Sequence, residues 1–176
     1  MADPNLTGTS ANYDWGVYNA ISNGGNVPNQ WRTLTNDEWN YLRNIRTDAS
    51  SKYATGRIQL ANGSYVNGCI FLPDRWRLPT GCSFTAGASS SSTDYSRNTY
   101  TLSQWSLMES AGALFMPTAG SRFGTSYVYN FGDSYWSSSS NNCGFASGLL
   151  LTGNMVQMAS GNRSHGRSVR LVHDIN

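Results

Sequence analysis

The chain has 176 residues, a net charge of +2 and only 12% charged residues, about half the share of an ordinary soluble domain. Eleven of the twelve basic residues are Arg and the twelfth is Lys52, scattered without a run. Nucleic acid and anionic membrane are therefore not expected partners, because both select a clustered basic face. No apolar stretch approaches the roughly 20 residues that span a bilayer, and the length suits one domain, 1–176, with its own core.

Residues 1–11 begin Met1-Ala2-Asp3-Pro4, lack the basic and apolar regions of a signal peptide, and read as a flexible leader. Thr35-Asn36-Asp37-Glu38-Trp39 then sets a capping Thr three residues before Glu38. Trp39, Leu42 and Ile45 follow at helical spacing, which predicts a helix to about Arg46. Strands are expected over 57–60 and 68–72. Cys69 and Cys82 flank Leu72-Pro73-Asp74-Arg75-Trp76-Arg77 and suit either one disulfide in an oxidising compartment or two small buried thiols. Residues 83–99, with Ser89-Ser90-Ser91-Ser92, read as a surface loop.

Thr101-Leu102-Ser103-Gln104-Trp105 repeats the helix-start pattern. Leu102, Trp105, Met108 and Ala111 should share a face, and Gly112 should end the helix. Short strands are expected over 113–116, 127–129, 135–137, 146–151, 154–158 and 168–173. The fifth and the one before it meet at Gly153-Asn154, whose expected positive φ values suit a two-residue hairpin turn. Two helices on many short, mostly antiparallel strands with long irregular loops make an α+β fold.

The tail is the unusual part. From 123 to 161 the one charged residue is Asp133, and 123–176 holds neither Lys nor Glu. Between Phe123 and His165, 23 of 43 residues are Ser, Tyr, Asn or Gly, the composition of an antibody paratope. Tyr supplies rigid amphipathic contact area, and the small polar residues supply adaptable hydrogen bonding.

Several motifs stand in a fixed order: Asn12-Tyr13-Asp14-Trp15-Gly16, Trp31-Arg32-Thr33-Leu34-Thr35, Phe71-Leu72-Pro73-Asp74-Arg75-Trp76, Pro117-Thr118-Ala119-Gly120-Ser121-Arg122, Tyr135-Trp136-Ser137-Ser138 and Gly166-Arg167-Ser168-Val169-Arg170-Leu171-Val172. Together they resemble the Fibrobacter succinogenes major paralogous (FISUMP) domain of Bacteroidetes surface proteins, and the resemblance implies a C-type-lectin-type fold. The tail also resembles the variable proteins of diversity-generating retroelements. There, adenine mutagenesis of AAC-type codons yields Asn, Ser, Thr, Tyr, Asp, His, Gly, Phe, Cys or Arg among others, and never Lys, Glu, Gln, Met or Trp.

On that resemblance 120–172 is a variable-region-like segment. Its candidate ligand-binding positions are Phe123, Ser126, Tyr127, Tyr129, Asp133, Ser134, Asn141, Asn142, Cys143, Phe145, Ser147, Thr152, Ser160, Asn162, Ser164, His165 and Arg167. Tyr127, Tyr129 and Phe145 would be aromatic anchors, or else half-buried strand residues. Gln157 lies outside the reachable set and fits only as frame.

Catalysis is not expected. The two histidines, His165 and His173, match no nucleophile triad, and Glu38 and Glu109 sit on predicted helices rather than as an acid/base pair. No CxxC or Cys/His spacing and no adjacent acids suggest a metal, so neither metal nor cofactor is expected. Two functions remain. One is a recognition domain with a diversified surface, binding a protein or glycan from a cell surface, pilus or phage tail fibre. The other is a structural or adhesive repeat of a surface lipoprotein without a dedicated ligand. Both place the chain outside the cell, or in a phage virion.

Overall fold

The computed structural model describes residues 14–18, 20–21, 27–28, 30–128, 133–142 and 144–174. Helix and strand are mixed, as the α+β expectation requires. The described elements are α1 (Trp15–Tyr18), β1 (Trp31–Thr33), α2 (Asn36–Asn40) continued by a π-helical turn (Tyr41–Ile45), β2 (Tyr53–Gln59), β3 (Tyr65–Phe71), β4 (Thr99–Thr101), α3 (Leu102–Ser110), β5 (Leu114–Pro117), β6 (Ser121–Phe123), β7 (Ser126–Val128), β8 (Asp133–Asn142), β9 (Phe145–Thr152), β10 (Met155–Asn162) and β11 (Leu171–His173). Residues 1–11 lie outside the described set, as do Tyr129 and Cys143.

A four-stranded sheet runs β4-β2-β3-β5, with β4 parallel to β2 and the other pairings antiparallel. It is covered on both faces, which explains why most of β2 and the second half of β3, from Gly68 to Phe71, are buried. One face carries Ile58 and Ile70 against Tyr100, Trp105 and Met108. The other carries Tyr53, Cys69, Phe71 and Met116, and meets Trp39 of α2 with Tyr135, Leu149, Leu151 and Val156 of a three-stranded antiparallel sheet, β10-β9-β8. The main core therefore lies between the two sheets and is closed by α2.

Both predicted capping boxes form. Thr35 pairs with Glu38 and Thr101 with Gln104, each satisfying two backbone N–H groups left over at a helix start. The predicted apolar faces hold in part. Trp39, Trp105 and Met108 are buried, but Ile45 points to solvent. The wider turn at Tyr41–Ile45, closed by the Arg46 N–H on Tyr41 O at 3.1 Å, rotates Ile45 off the stripe that Trp39 and Leu42 define. Leu102 and Ala111, at the two ends of α3, are exposed as well. Arg46 is buried and donates to Leu42 O at the end of the helix, where carbonyls lack helical partners, and also to Leu72 O and Lys52 O.

Three further expectations are corrected, and of the two readings left open for Cys69 and Cys82 the free thiols hold. Residues 83–99 are not a free surface loop: Thr55 N–H donates to Gly87 O and Gly87 N–H to Tyr53 O, Asn98 Nδ2 donates to Thr55 O and Thr85 O, and Tyr95 is buried. The hairpin between β9 and β10 turns at Gly153-Asn154, but neither residue has positive φ. Glycine is required at 153 by crowding, since a Cβ would meet Ser91 O at 2.5 Å. The expected C-terminal strand is strand only at Leu171–His173, where it pairs with β1, because 168–169 runs along β8 instead, with Trp136 N–H donating to Ser168 O at 2.9 Å. Cys69 and Cys82 are both free. Cys69 lies in the main core, where burial pushes its thiol pKa well up, and Cys82 packs on the opposite side of the four-stranded sheet.

Candidate recognition surface

The three-stranded sheet changes character along its length. On the face that meets the core, β9 presents Leu151, Leu149, Ser147 and Phe145, and β10 opposes them with Val156, Met158, Ser160 and Asn162. Leu149 is 0% exposed while Phe145, four residues along the same face, is 45% exposed. The sheet thus overhangs its core, and the overhanging half is lined by Phe145, Ser147, Ser160, Asn162 and Asn141, whose Nδ2 donates to Ser160 Oγ. Strand geometry projects these side chains in a fixed register, so a substitution changes the surface without moving the backbone.

A second group adjoins the first. Arg163 N–H donates to Gly144 O, which holds the exit of β10 against the β8/β9 turn. Three residues later, Arg122 and Gly166 exchange both backbone hydrogen bonds, at 2.7 and 2.8 Å, which seats the β6/β7 hairpin on the same segment. The hairpin presents Phe123, Ser126 and Tyr127, all exposed. Phe123 meets the His165 ring edge-to-face at 4.2 Å, and Tyr127 Oη donates to Ala119 O. Arg122 Nε donates to Gly124 O at 2.9 Å, the loop-bracing role its position suggests. Ser164 N–H donates to Asn162 Oδ1, closing a tight turn between the two groups.

Ten of the seventeen candidate positions therefore come together at one end of the molecule: Phe123, Ser126, Tyr127, Asn141, Phe145, Ser147, Ser160, Asn162, Ser164 and His165. Asp133 and Asn142 occupy β8, but their side chains fall outside the description, as Tyr129 and Cys143 do entirely. Three candidates belong elsewhere. Ser134 is 1% exposed and, opposite Leu150, lies on the reverse face of the sheet. Thr152 is also buried, and it stands seven residues from Phe145 along β9, about 23 Å at strand rise, beside the turn on which 89–92 packs.

Arg167 lies on the opposite face of the sheet. Its guanidinium stacks 4.2 Å over the Trp136 ring and occupies the space where a Gly161 side chain would project. Nε and Nη1 are buried without a hydrogen-bond partner, and burial lowers the pKa of the group. This is a packing role, with the cation held by a ring rather than offered to solvent.

The reverse face also carries a cleft of about 210 Å³ that the sequence did not indicate. It opens between the edge of β8, Thr33 of β1, the start of β9 and the chain beyond β10. Its wall includes Asp14, whose carboxylate accepts from Thr33 N–H and Thr33 Oγ1, both at 2.7 Å. Asp14 belongs to the Asn12–Gly16 motif, and what marks it in the sequence is only that an acid stands between aromatics in a chain so short of charge. Among the described residues no group of three His, Cys, Asp or Glu side chains is placed to hold a metal ion.

Comparison with protein-family models, with curated proteins and with solved structures returned no match to the chain.

Proposed function

We propose that the chain is a recognition domain of C-type-lectin type, related to the FISUMP domains and to the variable proteins of diversity-generating retroelements. It binds a protein or glycan partner outside the cell through the overhanging sheet end and the β6/β7 hairpin, and it does no chemistry on that partner. The observation that carries the reading is the division within 123–165. Positions drawn from the reachable codon set are mostly exposed and contiguous, whereas the frame residues between them, Tyr135, Leu149, Leu151 and Val156, are buried in the main core. A surface built this way tolerates substitution because its residues add little to the core. Phe123, Tyr127 and Phe145 supply exposed aromatic anchors, with Ser and Asn hydrogen-bonding groups around them.

The experiment is genomic. A near-copy of the sequence encoding 120–172 is expected close to the gene, differing almost only at adenines and accompanied by a reverse transcriptase gene. An invariant tail across many isolates with no such copy would refute diversification and favour the structural or adhesive repeat.

A further inference from the structure

We infer that the cleft on the reverse face binds one neutral, hydroxyl-rich ring, a monosaccharide or the terminal residue of a glycan. The volume, about 210 Å³, lies below the 300–1,000 Å³ of sites for drug-sized ligands and suits a single ring. Ser138 lines the cleft, is 3% exposed, and its hydroxyl has no hydrogen-bond partner, so a donor and an acceptor are held there unused. Among the described residues Asp14, 2% exposed, accepts one hydrogen bond on each oxygen, both from Thr33, and since a carboxylate has about four acceptor sites these bonds leave capacity for two ligand hydroxyls.

Trp136, Ala146 and Val169 supply apolar wall for the C–H face of a sugar ring, and Arg163 completes the lining. The charges of Asp14 and Arg163 balance. A carboxylate ligand would face Asp14, a cation would face Arg163, and a hydrocarbon would leave the Ser138 hydroxyl buried and unpaired. A neutral polyol meets all three constraints. The site stands independently of the recognition surface, since it uses the opposite face of the sheet and residues outside the diversified set.

The test titrates the protein with glucose, galactose, mannose and N-acetylglucosamine, with their methyl glycosides, and with glucuronate as the anionic control. Tryptophan fluorescence and amide shifts of 136–140 give the readout. At least one neutral sugar should bind with millimolar affinity and shift these amides, and glucuronate should bind more weakly. Methyl glycosides binding as well as free sugars point to the end of a glycan, and loss of binding on methylation points to the free sugar. Ser138→Ala should weaken sugar binding several-fold while leaving thermal stability equal or higher, because the hydroxyl it removes is unsatisfied. Ala146→Trp should fill the cleft and abolish binding, and Phe145→Ala on the opposite face should leave it unchanged. The inference is overturned if no neutral sugar shifts 136–140 at concentrations that saturate a millimolar site, if both cleft variants bind as the parent does, or if Phe145→Ala is the change that removes binding.

Discussion

Replacing Gly161 by Ala tests whether Arg167 is a packed brace or a surface side chain. A Cβ at 161 falls 2.5 Å from Nη1 of Arg167, so the guanidinium must leave the Trp136 ring that it covers at 4.2 Å. Losing that stack costs about 0.5–2 kcal/mol for a cation on an aromatic face between exposed and desolvated limits. Gly161 has no positive φ, so alanine is otherwise compatible and restricts the unfolded chain, a gain of about 0.4–1 kcal/mol. The net expectation runs from a gain of about 0.5 kcal/mol to a loss of about 1.6 kcal/mol. In an Arg167→Ala background the clash is absent and only the gain remains, so G161A should there stabilise by about 0.4–1 kcal/mol. The coupling is the prediction: G161A should be about 0.5–2 kcal/mol less favourable with Arg167 present than without it. Urea unfolding of the four proteins of the cycle measures it, with the midpoint and slope fitted separately. If G161A destabilises equally in both backgrounds, Arg167 does not fill the space over Gly161, and its assignment to the reverse face fails.

Three further predictions follow from the same geometry. Leu149→Ala should cost about 2–5 kcal/mol in chemical denaturation and Phe145→Ala less than about 1 kcal/mol, although both side chains leave the same face of β9; equal costs would mean that the sheet does not overhang its core. Tyr100 is buried, donates to Ser83 O at 2.6 Å, and has a pKa pushed up to about 12, first by burial and then by Cys82. Its contribution is full below the ordinary tyrosine value near 10 and is lost as pH rises toward 12, so Tyr100→Phe should flatten the alkaline loss of stability in that window, as followed by circular dichroism. The Arg32 guanidinium holds the Glu38 carboxyl below its usual range, and through Asp174 it also ties α2 and β1 to the chain after β11. That stability is present above the unfolded Glu value near 4.3 and disappears as pH falls through the depressed value. Since the pair is about a third exposed, Glu38→Gln should cost no more than about 1 kcal/mol at neutral pH and nothing in acid; a difference that persists in acid would refute the pairing as its source.

Local grammar was legible wherever the physics is local. A capping box needs only residues three apart, and both form where Thr35 and Thr101 mark them. Alternation or a short apolar run located most strands, though their ends were set by pairing: β8 extends to ten residues and β11 shrinks to three, because partners rather than propensity decide length. The short strands β1, β4 and β6 carried no readable signal, since a three-residue strand exists only through the neighbour it bonds. The π-helical turn, which turns Ile45 outward, was equally invisible to a period of 3.6.

The candidate surface shows the same limit. Composition separated 123–165 from the rest of the chain, and the resemblance to retroelement variable proteins divided it into a set of candidate positions and a frame. Composition carries no information on which of those positions share a face. Ser134 and Thr152 belong to the same alphabet as Ser160 and Asn162, yet two are buried on the reverse face of the sheet and two are exposed on the end of the core face that overhangs the core. The cleft depends still more on tertiary structure: Asp14 and Ser138 lie 124 positions apart in the chain, and only the packing of Thr33 and Leu34 against β8 puts them in one wall. The sequence by itself determined the alphabet, the caps and the α+β character. Which letters meet solvent, which meet each other and where an unsatisfied hydroxyl is buried in a cleft-lining residue were decided by long-range pairing and burial, quantities that no window along the chain contains.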